Sequence, residues 1–276
     1  MESLVSTDWL AEHLGEPGLV VVDSSWHMPA TGRDARSEYL EAHIPGARFL
    51  DIDAVSDSSN PAPHMLPDAE TFGLAMEAAG IGRDERIIVY DNSPLRSAAR
   101  GWFTLRHFGA RNVAILDGGL PKWVAEGRAT ESGEPEPRHA SFEAVERPHE
   151  VVSKQQILGG EIGCAFVDAR GRPRFEGTEP EPRPGMASGH IPGARNIPYA
   201  SLFSEDGTYR GRADLSRIFN EAKADPSQPF VASCGSGVTA TILIFAAHLL
   251  GNDEGRLYDG SWAEWGADPE TPKALG

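Results

Sequence analysis

The hexapeptide HIPGAR stands at residues 43–48 and again at 190–195, 147 positions later. Other elements recur around it in the same order. Val5-Ser6 and Val152-Ser153 each precede a short helical pattern, and apolar runs end at Val22-Asp23 and at Val167-Asp168. LDGGLPKW at 116–123 is answered by LYDGSWAEW at 257–265, aligning Asp117 with Asp259 and Trp123 with Trp265 at an offset of 142. A six-residue identity with ordered flanking matches marks a duplicated unit. A chain of 276 residues also approaches the size at which a single core stops growing. The expected organisation is a first domain over 1–127, a linker over 128–150, where Glu, Pro and small polar residues displace any periodicity, and a second domain over 151–276.

Each half alternates short apolar runs with helical patterns. LVVVD, RIIVYD and VAIL in the first half, and AFVD, PFVASC and RLYD in the second, read as buried parallel strands. AETFGLAMEAAG and LSRIFNEAKA read as intervening helices. Ser6 and Ser153 are expected helix N-caps, with Gly15 and Gly159 as stops. Strands alternating with helices predict an α/β fold, with a mostly parallel sheet flanked by helices in each half.

Charge and cysteine usage narrow the partners. A net charge of -16 disfavours nucleic acid and anionic membranes, both of which select basic surfaces. No apolar run reaches the roughly 18 residues of a membrane span, and the acidic N-terminus carries no secretory pattern. Two cysteines are too few for a disulfide framework, and no Cys/His cluster has metal-ligand spacing. The expectation is a reducing, cytoplasmic compartment and no metal or organic cofactor.

One of the two cysteines is set in FVASCGSGVTATILIF. FVAS reads as a strand and VTATILIFAAHLLG as a buried helix, so Cys234 opens the turn at the strand's C-terminal end, the edge where open α/β sheets bind ligands. Gly235 and Gly237 free the backbone to turn its N–H groups toward one centre, and the helix dipole adds positive potential. Such a loop favours an anion, and hence the thiolate of Cys234, as a nucleophile. Cys164, in IGCAFVD, has no such context and reads as a small core residue. The first half supplies a control: RIIVYD runs into NSPLRSAARGWF without a cysteine, so only the second domain is expected to carry thiolate chemistry. Ala240 stands six residues after Cys234, where a phosphatase loop needs arginine. An acyl-transfer site has no independent signature, which leaves a cradle for a sulfur anion, a persulfide.

The paired HIPGA segments, LDGG…W and the loop Cys234-Gly235-Ser236-Gly237-Val238-Thr239 resemble the tandem-domain rhodanese family over nearly the whole chain. The resemblance implies a sulfurtransferase whose first domain is non-catalytic. Within that family, thiosulfate-using members carry basic residues in the loop, and 3-mercaptopyruvate sulfurtransferases carry an uncharged loop like this one. It implies a small-molecule sulfur donor, bound by Gly235, Gly237, Val238 and Thr239 of the loop, and a thiol, cyanide or thioredoxin-like acceptor. GRPRFEGTEPEPRPG is similar to the family segment that contributes two substrate-binding arginines, which fall on Arg174 and Arg183; Pro173 is expected to hold the backbone there extended. Arg170 and Arg172 lie close by with less support from the motif. FLDIDAVSDSSNPAPHMLP resembles the segment that sends an Asp and a His to the loop serine, here Asp53, His64 and Ser236, a set suited to proton relay. His43 and His190 occur in both repeats and read as structural. The alternatives are a thiosulfate:cyanide sulfurtransferase and, from another class, a non-enzymatic persulfide relay or binding module.

Overall fold

The computed structural model describes all 276 residues. The chain forms two compact units, one of Met1–Ser56, Leu66–Arg147 and Glu205–Tyr209, the other of Asp57–Met65, Pro148–Ser204 and Arg210–Gly276.

The first unit runs β1 (Leu4–Val5), α1 (Thr7–His13), β2 (Leu19–Asp23), α2 (Ala35–Glu41), β3 (Arg48–Phe49), α3 (Ala69–Ala79), β4 (Arg86–Tyr90), α4 (Ala98–His107), β5 (Asn112–Leu116) and α5 (Gly119–Ala125). Its five strands pair in parallel in the order β1-β5-β4-β2-β3. The apolar runs Val20–Val22 and Ile87–Val89 are almost wholly buried, the mark of strands covered on both faces. The second unit runs β6 (Val151–Val152), α6 (Lys154–Leu158), β7 (Ala165–Asp168), α7 (Arg172–Glu176), β8 (Arg195–Asn196), α8 (Arg212–Glu221), β9 (Phe230–Ser233), α9 (Ala240–Leu249), β10 (Gly255–Tyr258) and α10 (Ser261–Trp265). Its parallel order is β6-β10-β9-β7-β8. Strand for strand this is the first sheet again, so the sequence repeat is a repeat of structure.

Local signals act where the sequence placed them. The Ser6 hydroxyl accepts the Trp9 N–H at 3.1 Å, and Ser153 forms a capping box with Gln156, satisfying otherwise orphaned N–H donors. Gly15 and Gly160 follow α1 and α6 with φ of 85° and 71°, and α6 ends on Gly159. α9 is buried over residues 240–247, as expected of a helix apolar on every face. No helix is long and apolar enough to cross a membrane.

Long-range contacts place two segments, and one local expectation differs from the structure. Within the expected linker over 128–150, residues up to Arg147 group with the first unit. Phe142 is 2% exposed and packs edge-on to Phe72, while Glu131 bonds to His43, so this segment belongs to the first unit. His64 groups with the second unit although it precedes α3 in sequence. Arg172–Glu176 is helical rather than extended: Pro173 falls in the first turn of α7, where its missing N–H breaks no intrahelical bond and its fixed φ suits the helix.

Candidate active site

β9 is the central strand of the second sheet, and at its C-terminal end residues 234–239 turn into α9. Cys234 is 2% exposed and Ser236 6%; Gly237 has φ of 78°, a conformation that costs glycine nothing. The turn is fastened from one side by α10. Ser261 Oγ accepts the N–H groups of Cys234 and Gly237 at 3.0 and 3.2 Å and donates to the Tyr258 carbonyl at 2.8 Å. The Trp262 and Ala263 N–H groups donate to the Cys234 and Gly235 carbonyls. Ser261 is itself left-handed, with φ of 47°.

The other amides of the turn are open. The N–H groups of Gly235, Ser236, Val238, Thr239 and Ala240 donate to no protein acceptor. Unengaged donors at the start of a buried helix form an anion-binding concavity.

The first unit shows the same turn closed. Asp91 stands where Cys234 does, since Leu120 N–H donates to its carbonyl as Trp262 does to that of Cys234. The Asp91 carboxylate accepts the N–H groups of Ser93 and Ala98 at 3.0 and 2.8 Å. Burial pushes this carboxyl above its ordinary range, opposed by those two donors. Ser25 Oγ takes the Asn92 N–H and Ser93 Oγ the Leu95 N–H. With the Arg96 N–H donating to the Ser93 carbonyl, four of the five donors that are open around Cys234 have occupied counterparts here.

Of the other sequence-predicted residues, His64 is 4% exposed and its Nδ1 lies 2.8 Å from Ser236 Oγ; it sits at φ of 63°, a strained conformation for a non-glycine residue. Asp53 belongs to the first unit, where its Oδ2 accepts the Trp26 indole N–H at 2.9 Å. Arg174, on α7, reaches the turn from another side: a Cβ built on Gly235 would lie 3.2 Å from Arg174 Nη2. Its guanidinium is held by Glu181, Nη2–Oε2 2.5 Å and Nε–Oε1 3.2 Å. Glu181 also takes Arg170 Nη1 at 2.7 Å, and Arg170 grips Asp168 through three contacts and lies over the Trp262 ring. Arg170 is therefore a buried structural cation, with Asp168, Glu181 and the base of α10 as its partners. Arg183 is half-buried in the segment between α7 and β8. Val238 is buried and Thr239 caps α9 by backbone alone.

Two residues of this constellation escaped the sequence. Ser261 had a signal, because the repeat pairs it with Gly119 (φ 59°) and a serine replacing glycine in the cysteine-bearing copy is a conspicuous change. Glu181 had none beyond its place between two prolines. Cys164 is half-buried against the second core, 3.2 Å from Arg256. His190 stacks on Phe175 and bonds its carbonyl, and His43 does the same with Tyr39, as structural histidines do.

Known proteins resemble this chain along nearly its full length. The model of the rhodanese-like domain matches residues 6–126 and again 152–268. A human protein named 3-mercaptopyruvate sulfurtransferase is 43% identical over 95% of this chain and 91% of its own. A Cricetulus griseus protein named thiosulfate sulfurtransferase is 41% identical over 99% and 96%. The crystal structure of SseA from Escherichia coli, titled as a 3-mercaptopyruvate sulfotransferase of rhodanese fold, superposes with a TM-score of 0.86 at 40% identity, covering 95% of this chain and 99% of that one. With one rhodanese-like match on each sheet and such identity throughout, the chain belongs to the rhodanese-like family, as a tandem member.

Proposed function

We propose that this protein is a sulfurtransferase that takes sulfur from 3-mercaptopyruvate onto Cys234, releases pyruvate and passes the sulfur to a thiol, cyanide or a reduced thioredoxin-like protein. The observation that carries the reading is the ring of unengaged N–H groups around a buried cysteine, in the one unit whose turn is not filled by its own carboxylate.

The donor's carboxylate and keto oxygens fit the Arg174 and Arg183 guanidinium groups. The Cys234 thiolate attacks the donor sulfur and the carbon–sulfur bond breaks, its electron pair forming pyruvate enolate. Arg174 opposes that charge, and the Ser236 hydroxyl delivers a proton to the enolate as His64 Nδ1, 2.8 Å behind it, resupplies the oxygen. The Cys234 persulfide is left with the N–H groups of Gly235, Ser236, Val238 and Thr239 around it. The unpaired state of both cysteines suits a reducing cytoplasm.

Relatives named for thiosulfate keep a second donor in view. The turn's lack of any basic residue favours the keto acid, because a dianion gains from cations beside it. The test offers each donor separately and measures intact mass and turnover. The expected result is a gain of one sulfur on Cys234 with 3-mercaptopyruvate, its loss in Cys234→Ser, and a larger loss with 3-mercaptopyruvate than with thiosulfate in Arg183→Ala. Equal losses with both donors would refute the carboxylate clamp.

A further inference from the structure

A cavity of about 470 Å³ opens between α7, β8 and α8 of the second unit, and none of its lining residues belongs to the cysteine turn. Its wall carries three guanidinium groups, Arg172, Arg210 and Arg217, against one carboxylate, Glu221. On a chain of net charge -16 that balance is a local reversal of sign. A concave wall of one sign concentrates its field on a counter-ion.

All three cations are weakly committed within the protein. Arg210 has no carboxylate partner: its Nε donates to the Ser201 carbonyl at 2.9 Å, and its two terminal nitrogens donate to nothing in the protein. Arg172, with a side chain 68% exposed, has only Glu176, at 3.4 Å. Arg217 pairs with Asp214 and Glu221 at 2.9 and 3.0 Å, but all three of those side chains are more than half exposed. Water screens such pairs, and they hold their members loosely. An incoming oxyanion can therefore draw on all three groups.

The rest of the wall suits the same guest. Asn196 turns its Nδ2 to the Asp168 and Arg170 carbonyls at 3.0 and 2.8 Å, and its Oδ1 is buried, so no amide oxygen faces an anion in the cavity. Pro198, Ile218 and Ala222 supply an apolar side. A few polar groups set on an apolar wall, in a volume of about 300–1,000 Å³, is the usual make-up of a small-molecule site.

We propose that this cavity binds a small phosphate ester, at a site separate from the cysteine turn and independent of its chemistry. The number of cations selects the class. A carboxylate brings one charge and two oxygens, enough for a single guanidinium fork, whereas a phosphate monoester brings up to two charges and three terminal oxygens. Those oxygens match Arg172, Arg210 and Arg217, and the organic part of the ester lies against Pro198, Ile218 and Ala222. Free phosphate shares the head-group chemistry but lacks that second contact, so affinity separates the two sources.

Calorimetric titration of the whole protein with phenyl phosphate, inorganic phosphate and benzoate tests this, at a pH above the second phosphate pKa of about 6. Phenyl phosphate is expected to bind about tenfold more tightly than benzoate, which keeps the ring and one charge, with inorganic phosphate between them. Arg210→Gln is expected to weaken phenyl phosphate about tenfold, the worth of one charge-assisted hydrogen bond. Arg172→Gln, an exposed change that spares the fold, is expected to weaken it about threefold. No binding of phenyl phosphate, benzoate binding as tightly, or an affinity unchanged in both variants would overturn the site. Inorganic phosphate binding as tightly as phenyl phosphate would overturn the ester as its guest. An affinity that falls in Arg174→Gln and holds in Arg210→Gln would put the anion on the cysteine turn and overturn the site as well.

Discussion

Ser261 is the residue whose replacement most directly tests how the cysteine turn is held. Its hydroxyl accepts two N–H groups from the turn and donates to a third partner, with no exposure to solvent. Ser261→Ala leaves two buried donors without acceptors, at about 1–3 kcal/mol each before relaxation, so a loss of about 2–4 kcal/mol is expected. Ser261→Gly removes the same hydroxyl but also the left-handed strain at φ 47°. That strain is worth roughly 1–2 kcal/mol for a residue with a Cβ, against which glycine's unfolded-state entropy returns about 0.4–1 kcal/mol. Glycine should therefore be the milder change by about 0.5–1 kcal/mol, inverting the usual order in which alanine is favoured at a helix start. Urea unfolding followed by tryptophan fluorescence measures this beside the reporters Trp262 and Trp265. Persulfide formation should fall on the order of a hundredfold in both variants, because the turn loses its register. Equal or greater stability of the alanine variant, or both variants within about 0.5 kcal/mol of the parent, would refute the reasoning.

Glu181→Gln removes the buried charge that Arg170 and Arg174 share; a stability loss of about 3 kcal/mol and a rise in KM for 3-mercaptopyruvate larger than the fall in kcat are expected from denaturation and steady-state kinetics. Asp117, pushed up to about 6 by burial against the pull of the Tyr209 N–H, prefers its protonated form when folded. Its contribution is therefore fully present below the unfolded value of about 3.9 and is lost as pH rises through about 6. Asp117→Asn, which keeps the acceptor for Tyr209 N–H, should exceed the parent in urea stability by about 1–2 kcal/mol at neutral pH and match it near pH 4; a constant difference across that range would contradict the assignment.

What was legible in the sequence was whatever local physics decides. The buried strands announced themselves as unbroken apolar runs, and Ser6 and Ser153 as caps, because neither depends on distant partners. The turn at Cys234 was legible because strand, glycines and helix adjoin in sequence. The meeting of His64 with Ser236, 172 residues away, was legible only through the family resemblance, because no periodicity reports such a contact. Residues 128–150 read as linker from their polar composition, because the contacts that tie them down, such as buried Phe142 and the bonds of Glu131 with His43 and of Val145 with Phe108, join residues far apart in sequence. Arg170 and Arg174 looked alike as letters; only Asp168 and Glu181, which the fold brings in, make one a buried structural cation and leave the other facing the turn.

The duplicated turn shows why a cysteine alone does not make this site. Asp91→Cys in a Cys234→Ser background would place a thiol at the aligned position, at the end of the equivalent strand. Around it, though, the Asn92 N–H would remain bonded to Ser25, and the Leu95 N–H to Ser93. Gly119, aligned with Ser261, has no hydroxyl to fasten the turn, and a Cβ there would lie 2.4 Å from the Asp91 carbonyl. The transplanted sulfur would meet few free donors, so nothing would favour its thiolate or hold a second sulfur. The double variant is expected to show turnover and sulfur loading no higher than Cys234→Ser alone, although an alkylating reagent reaches the new thiol in unfolded protein. Measurable loading at position 91 would mean that the strand end and helix dipole suffice, and that the open amides around Cys234 are incidental to its chemistry.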